Sequence, residues 1–403
     1  MLNLAQRVGS IKPSATIAVA TKAAELKSKG LDVINFGPGE PDYNTPEHIK
    51  DAGIEAIRKN FTRYTPSSGI PELRSAICKK LQEDNGITYD PSQIVVSSGA
   101  KHALYNAVMA VCDPGDEMIL PYPCWVSYQY IVELAAGKPV YVETLEKDGF
   151  RIDFNALKEK ITPKTKAILI NSPNNPTGCV YTREDLQAIA ELAVKHQFFI
   201  ISDEIYEKLI YDRAKHFSPA SFSREVKDLT ITINGVSKSY AMTGWRIGYA
   251  AANSRIAKAM GDIQSHATSN VNSIAQKAAI AALTGSQEPV DAMIEAFQER
   301  RNVMAEGINA IPLMSCRVPR GAFYIMGNIS RVLGKKIDGR VIENSQVFAE
   351  VLLEKARVAV TAGSAFGPEG VEELDSFVRM SYATGMDDIR EGLRRMGEFL
   401  SKV

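Results

Sequence analysis

Apolar residues in this chain fall in two alternating patterns. Short, almost uninterrupted apolar runs bounded by Gly, Pro or Asn stand at Gln93–Ser97, Glu117–Leu120, Pro139–Glu143, Lys166–Ile170, Phe198–Ser202, Leu229–Asn234 and Ile247–Ala251. Runs of this kind predict strands buried on both faces. Between many of them the period lengthens to that of a helix. Thr182–His196 opens on a capping box, Thr182 to Asp185, and sets Leu186, Ile189, Leu192 and Ala193 on one face. Pro46–Lys59 and Pro71–Asp84 each begin with Pro followed by Glu, a frequent helix start. Strand–helix alternation of this length predicts an α/β domain whose mainly parallel sheet is sandwiched by helices. Past about Glu288 the pattern changes to a long charged helix, then GAFYIMGNIS, a further helix, VRMSYAT and a closing helix. That predicts a smaller α+β domain, with the helical N-terminal segment packed beside it. Function is expected at the carboxyl ends of the parallel strands and in the cleft between the domains.

Composition narrows the function classes. The chain has 403 residues, 47 Lys+Arg and 47 Asp+Glu, a formal charge of zero that offers no basic footprint for nucleic acid or an anionic membrane. No apolar run approaches the roughly 20 residues of a spanning helix, and the N-terminus lacks the order of a secretory signal. The 5 cysteines are scattered without a CxxC pair, and the histidines are scattered too, which predicts neither a disulfide framework nor a metal site. A cytoplasmic protein without nucleic-acid, membrane or metal partners is expected.

Four predicted strands end in unusual polar sequence. Ser97–Leu104 (SSGAKHAL) runs from a strand through a small-residue turn into a helix, where free N–H groups can hold phosphate. Asn171–Gly178 (NSPNNPTG) is a dense turn that also offers Asn donors beyond the sheet edge. Ser202–Tyr206 (SDEIY) puts Asp203 at the end of a buried strand, where a carboxylate is costly without a cation or several donors. If a helix starts there, Tyr206 lies one turn further on. Gly235–Gly248 (GVSKSYAMTGWRIG) hems Lys238 in with small residues; desolvation there lowers a lysine's pKa and frees its amine as a nucleophile.

Together these segments resemble the class I/II pyridoxal-phosphate aminotransferases of fold type I, and most closely their prokaryotic-type aspartate and prephenate branch. The resemblance runs from KPSATIAVATKA through GPGEPDYNTPEHI, RYTPSSGIPELR, YPCWVSY and SPNNPTG to RMSYAT, nearly the whole chain. It implies a large cofactor domain over 45–290 and a small domain made of 1–44 and 291–403. Pyridoxal 5′-phosphate is the implied cofactor. Lys238 would hold its aldehyde as the internal aldimine and later carry the proton between the substrate α-carbon and the cofactor. Asp203 would bind the ring nitrogen, Tyr206 and Asn175 the phenolic oxygen, and Trp125 would stack on the ring. The phosphate would fall to the Ala100–Lys101 backbone, Arg246 and Ser237, with Tyr64 reaching over from a second subunit. The implied assembly is therefore a homodimer with shared active sites. A serine of the family three residues before the lysine is Gly235 here.

For the substrate, the resemblance assigns the α-carboxylate to Arg379, Asn175 and the Gly39 backbone. Animal-type relatives bind the distal carboxylate with an arginine from the partner's loop, but Gln264–Asn272 (QSHATSNVN) contains none. In the branch resembled here Lys101 takes that place, with Ser14, Thr16 and Lys12 as further contacts. The implied activity is transamination of aspartate with 2-oxoglutarate, extending to prephenate. The alternatives are an aminotransferase for aromatic or neutral amino acids, or a fold-type-I lyase.

Overall fold

The computed structural model describes residues 4–9, 11 and 15–402, without the side chains of residues 6, 15–18 and 20. Lys12 and Ser14 therefore lie outside the described residues, and of Thr16 only the backbone is described, within the helix Ala15–Ser28.

Seven strands form the central sheet, in the spatial order Ile94–Ser97, Gly248–Ala251, Thr230–Gly235, Phe199–Asp203, Thr165–Asn171, Glu117–Tyr122 and Lys138–Glu143. Only Gly248–Ala251 pairs antiparallel with its two neighbours, so the sheet is mixed and mainly parallel, as predicted. The apolar runs serve two cores by alternation. Ala167 and Leu169 face the core formed with the helices Ala100–Val111, Ser127–Leu134 and Ser254–Ala267, whereas Ile168 and Ile170 face the one beneath Arg183–His196. Side chains one residue apart point to opposite faces, so a strand covered on both sides tends to be apolar at successive positions. Thr182 caps its helix as the sequence indicated, its hydroxyl accepting from Asp185 N–H while the Asp185 carboxylate accepts from Thr182 N–H at 2.9 Å.

A second, antiparallel sheet orders Thr361–Ala362, Phe377–Ser381, Tyr324–Asn328 and Ser315–Cys316. The helices Glu288–Ala310, Ser345–Ala356 and Met386–Leu400 supply its core with Met304, Phe348, Leu352 and Met396. The N-terminal part joins this layer: Ile34–Asn35 pairs parallel with Val358–Ala359, and Val33 packs with Ala23, Leu353 and Ala359. Tyr206, Leu209 and Tyr211, which follow a strand of the large sheet, also insert into this second core and tie the two layers together.

Candidate active site

Every polar strand end singled out in the sequence arrives at the same edge of the large sheet. Asn171 stands in register with Asp203, and Asp203 with Ile233, which brings the Asn175 turn, Asp203 and the Lys238 loop side by side. This is where ligands bind in open α/β sheets, because the loops leaving the carboxyl ends converge there. A cavity of about 300 Å³ opens at that edge, walled by Gly39, Ala100, Lys101, Trp125, Asn175, Asp203, Tyr206, Ser237, Lys238, Arg246 and Arg379. Of the predicted site residues, Tyr64 alone among those fully described lies elsewhere; it is 91% exposed on the surface.

No helix starts after Asp203; residues 205–208 form turns instead. Asp203 Oδ1 accepts the Ile205 N–H at 3.2 Å, an Asx-type contact that draws the backbone into a turn. Tyr206 still reaches the cavity, and its hydroxyl meets that of Tyr324 at 2.9 Å.

Asp203 is buried, and burial pushes its carboxyl up to about 6 despite the donated hydrogen bonds from Tyr128 O–H at 2.7 Å and from Ile205. Such a carboxylate is short of positive charge, and a protonated ring nitrogen would supply it. Lys238 Nζ donates to the Gly39 carbonyl at 2.6 Å, and burial brings its ammonium down to about 8. A lysine poised there is a usable nucleophile near neutral pH.

The anion sites are as clear. Gly99 turns at φ +87°, and a Cβ there would stand 2.1 Å from Arg246 Nη2, so the turn holds the guanidinium against the start of the Ala100–Val111 helix. Arg246 itself is left-handed at φ +58°, a conformation costing about 1–2 kcal/mol that persists where function demands it. Its Nη1 and Nη2 donate only to the carbonyls of Thr243 and Ser98, at 2.8 and 3.3 Å, leaving the cation without a carboxylate among the described residues. Arg379 is fully buried between the rings of Tyr324 and Phe366, at 4.5 and 5.0 Å. It donates to Asn175 Oδ1 at 3.0 Å and to the Gly37 carbonyl at 2.7 Å, while its Nε has no partner. Lys101 lies over the Trp125 ring at 4.7 Å, its pKa lowered by burial and by Arg246. Lys101, Lys238, Arg246 and Arg379 thus line the cavity with one carboxylate, Asp203, while Glu40 acts on Lys238 from beside it. Cations in that excess around one cavity attract anionic ligands, and a phosphate-bearing pyridine aldehyde together with a carboxylate substrate meets the demand. Pyridoxal phosphate fits the residues present.

The Gly235 substitution also has a physical reason. A Cβ there would lie 2.9 Å from both Gly248 Cα and the Ile247 carbonyl oxygen, so these packed strands exclude a serine. Sequence reasoning assigned no role to Tyr128, Tyr324, Asn171 or Thr243, which also line the cavity. Tyr128 follows Trp125 by three residues, the helical spacing that places both on one side, and that was the available signal. Nothing in the spacing of Tyr324 distinguished it from a core tyrosine. Glu204, Glu207 and His216 approach one another within 4.8 Å behind the site. Their charges are already met: Glu207 by Lys80 and Asn85, Glu204 by Ser202, Ser218 and His216. All 5 cysteines carry free thiols, and among the described residues no helix is long and apolar enough to cross a membrane.

Comparison with known proteins agrees with this geometry. The family described as aminotransferase class I and II matches residues 31–396. An aspartate aminotransferase of Geobacillus stearothermophilus is 50% identical over 99% of both chains. A probable aspartate/prephenate aminotransferase of Aquifex aeolicus is 48% identical, again over 99% of each. The solved structure of aspartate aminotransferase from Thermus thermophilus with maleate superposes with a TM-score of 0.92 at 42% identity, covering 99% of this chain and 100% of that one. With the cofactor cradle, the buried arginine and the strand-end lysine in one cavity, and a family match across 31–396, this chain belongs to the class I and II aminotransferases.

Proposed function

We propose that the enzyme is an aspartate aminotransferase, moving the amino group of L-aspartate to 2-oxoglutarate to give oxaloacetate and L-glutamate in a ping-pong cycle, and that prephenate is a second acceptor. The observation that carries this reading is the pairing of Arg379 with a second, uncompensated cation, Lys101, in one cavity. A dicarboxylate satisfies both; a neutral amino acid leaves Lys101 unpaired. The Geobacillus relative's activity and the maleate in the Thermus structure, itself a dicarboxylate, support it. The Aquifex relative's name supports prephenate, whose second carboxylate calls for the same clamp.

Pyridoxal phosphate, the cofactor of this family, supplies the electron sink that makes the substrate α-hydrogen acidic. The protein's own part begins with Asp203, which holds a proton at the ring nitrogen. Lys238 Nζ would anchor the cofactor and, as a free amine, take and return the substrate α-proton. Arg379 binds the α-carboxylate in two-pronged fashion and so orients the bond to be broken, with Asn175 and the Gly39 backbone assisting. The Ala100–Lys101 backbone, Ser237 and Arg246 hold the phosphate, Tyr206 and Asn175 the phenolic oxygen, and Trp125 covers the ring. Lys12 and Thr16 join Lys101 at the distal carboxylate. The division into a 45–290 domain and a second one of 1–44 with 291–403 lets the latter close over the substrate and exclude water.

We further place the protein in the cytoplasm as a homodimer. Exposed Ile54, Ile57 and Tyr64 support the dimer, since large apolar groups left open on the surface suit a second copy. The test of substrate class is spectral. Aspartate and glutamate should each discharge the yellow colour of the holoenzyme, and 2-oxoglutarate should restore it; recovery with prephenate establishes the second activity. Lys101→Ser should lower kcat/KM for aspartate about ten- to a hundredfold, the worth of a charge-assisted contact, and leave phenylalanine little changed. An unaltered aspartate value would remove Lys101 from the substrate site, and conversion by neutral amino acids alone would overturn the dicarboxylate reading.

A further inference from the structure

Asp203 carries more donors than its strand-end position requires. Its Oδ1 accepts the Ile205 N–H at 3.2 Å, and its Oδ2 accepts the Tyr128 hydroxyl at 2.7 Å. The main chain of the same residue is separately fixed: its carbonyl accepts Asn171 Nδ2 at 2.9 Å and Ser172 N–H at 3.2 Å. Orientation of the strand end is thus secured without Tyr128. The tyrosine is itself immobilised. Its ring is 2% exposed and meets Trp125 edge-on at 5.4 Å and 87°. Both Tyr128 and Asp203 nevertheless line the cavity.

A proton shared between a carboxylate and a ring nitrogen sits on the stronger base. Each hydrogen bond donated to the carboxylate weakens it as a base. In a dry pocket that effect is large, because no water replaces a lost donor. We propose that Tyr128 is a positioning residue that acts through Asp203: its hydroxyl keeps the carboxylate too weak a base to remove the proton of the cofactor nitrogen with which it pairs. The hydroxyl is suited to this, because burial and the neighbouring Asp203 hold its own pKa well above the ordinary tyrosine value and it remains a neutral donor. The inference rests on the pyridoxal-phosphate reading of the site.

The test uses holoenzyme reconstituted from apoprotein with pyridoxal phosphate labelled with nitrogen-15 at the ring, comparing wild type, Tyr128→Phe, Asp203→Asn and the double variant. Two quantities are read: the nitrogen chemical shift and the cofactor dissociation constant. Tyr128→Phe should move the shift toward that of an unprotonated pyridine and weaken cofactor binding about tenfold, the effect of losing a hydrogen bond to a charged group. On the Asp203→Asn background the same change should alter neither, since the group it acts through is gone. An unmoved nitrogen shift in Tyr128→Phe, or losses of binding that multiply in the double variant, overturns the proposal. Should the Phe variant not fold, 3-fluorotyrosine at position 128, nearly isosteric and a stronger donor, should shift the signal in the opposite sense; an unmoved signal again overturns it. Failure of the wild-type chain to bind the cofactor at all would instead overturn the reading of the site.

Discussion

Lys238 and Arg379 show how a single side chain takes its chemistry from its surroundings. Burial lowers the Lys238 ammonium to about 8, against 10.5 for the ordinary residue. In the apoprotein its reaction with an amine-directed reagent should therefore rise through about pH 8, where exposed lysines are still protonated, and mass spectrometry of the labelled peptide measures this. The sign for stability follows. Above that pH the unfolded chain holds a proton the folded lysine has released, so this group makes the apoprotein more stable as pH climbs toward 10.5. Arg379 offers a planar fork gripped between two rings, and lysine cannot reproduce it. Arg379→Lys should raise KM for aspartate and for 2-oxoglutarate alike, by about ten- to a hundredfold, as steady-state kinetics will show. A change confined to one substrate would mean that the arginine does not hold the carboxylate common to both. The identity of both residues was legible in the sequence through the segments around them. The ring sandwich about Arg379 was not, since Tyr324 and Phe366 come from parts of the chain far apart in sequence.

At the level of elements, the site depends on close backbone approach. The strand Gly248–Ala251 runs so near the start of the helix Ala100–Val111 that a Cβ on Gly248 would fall 2.2 Å from Ala100 N. Gly248→Ala must push apart the two elements at whose junction we place the phosphate. The expected result is a loss of about 1–3 kcal/mol, as for overpacking elsewhere, together with weaker cofactor binding. Denaturant melts and cofactor titration of one preparation measure both, and a variant with native affinity would place the phosphate elsewhere. Many strand and helix positions followed from period alone, because a sheet covered on both faces leaves most of its strand positions apolar, Thr230, Thr232 and Asn234 being buried polar exceptions. The turn after Asp203 did not: a helix and a turn begin with the same residues there, and the contact from Ile205 to the carboxylate decided between them.

Across the whole molecule, the proposed dimer and the placement of Tyr64 can be tested together. Tyr64 stands 91% exposed on its own chain, away from the cavity its sequence context associates it with. Hybrid dimers joining a Lys238→Ala subunit to a Tyr64→Ala subunit should contain one site with wild-type cofactor affinity, because that site takes its lysine from one chain and its tyrosine from the other. If Tyr64 serves its own subunit, no such site forms, and titration of the hybrid with pyridoxal phosphate distinguishes the cases. Sedimentation of the wild-type chain should show a species of twice the chain mass.

The sequence by itself determined the alternation of elements, the family, the cofactor and the strand-end residues Lys238, Asp203 and Asn175, since each of these is written in local order along the chain. Only the tertiary structure decided how their charges are balanced. It brought Arg379 between Tyr324 and Phe366, set Tyr128 against Asp203, fixed glycine at position 235, and gathered Lys101, Lys238, Arg246 and Arg379 around one cavity. Those outcomes depend on distances between residues remote in sequence, and on the loss of water around them, which no spacing along the chain encodes.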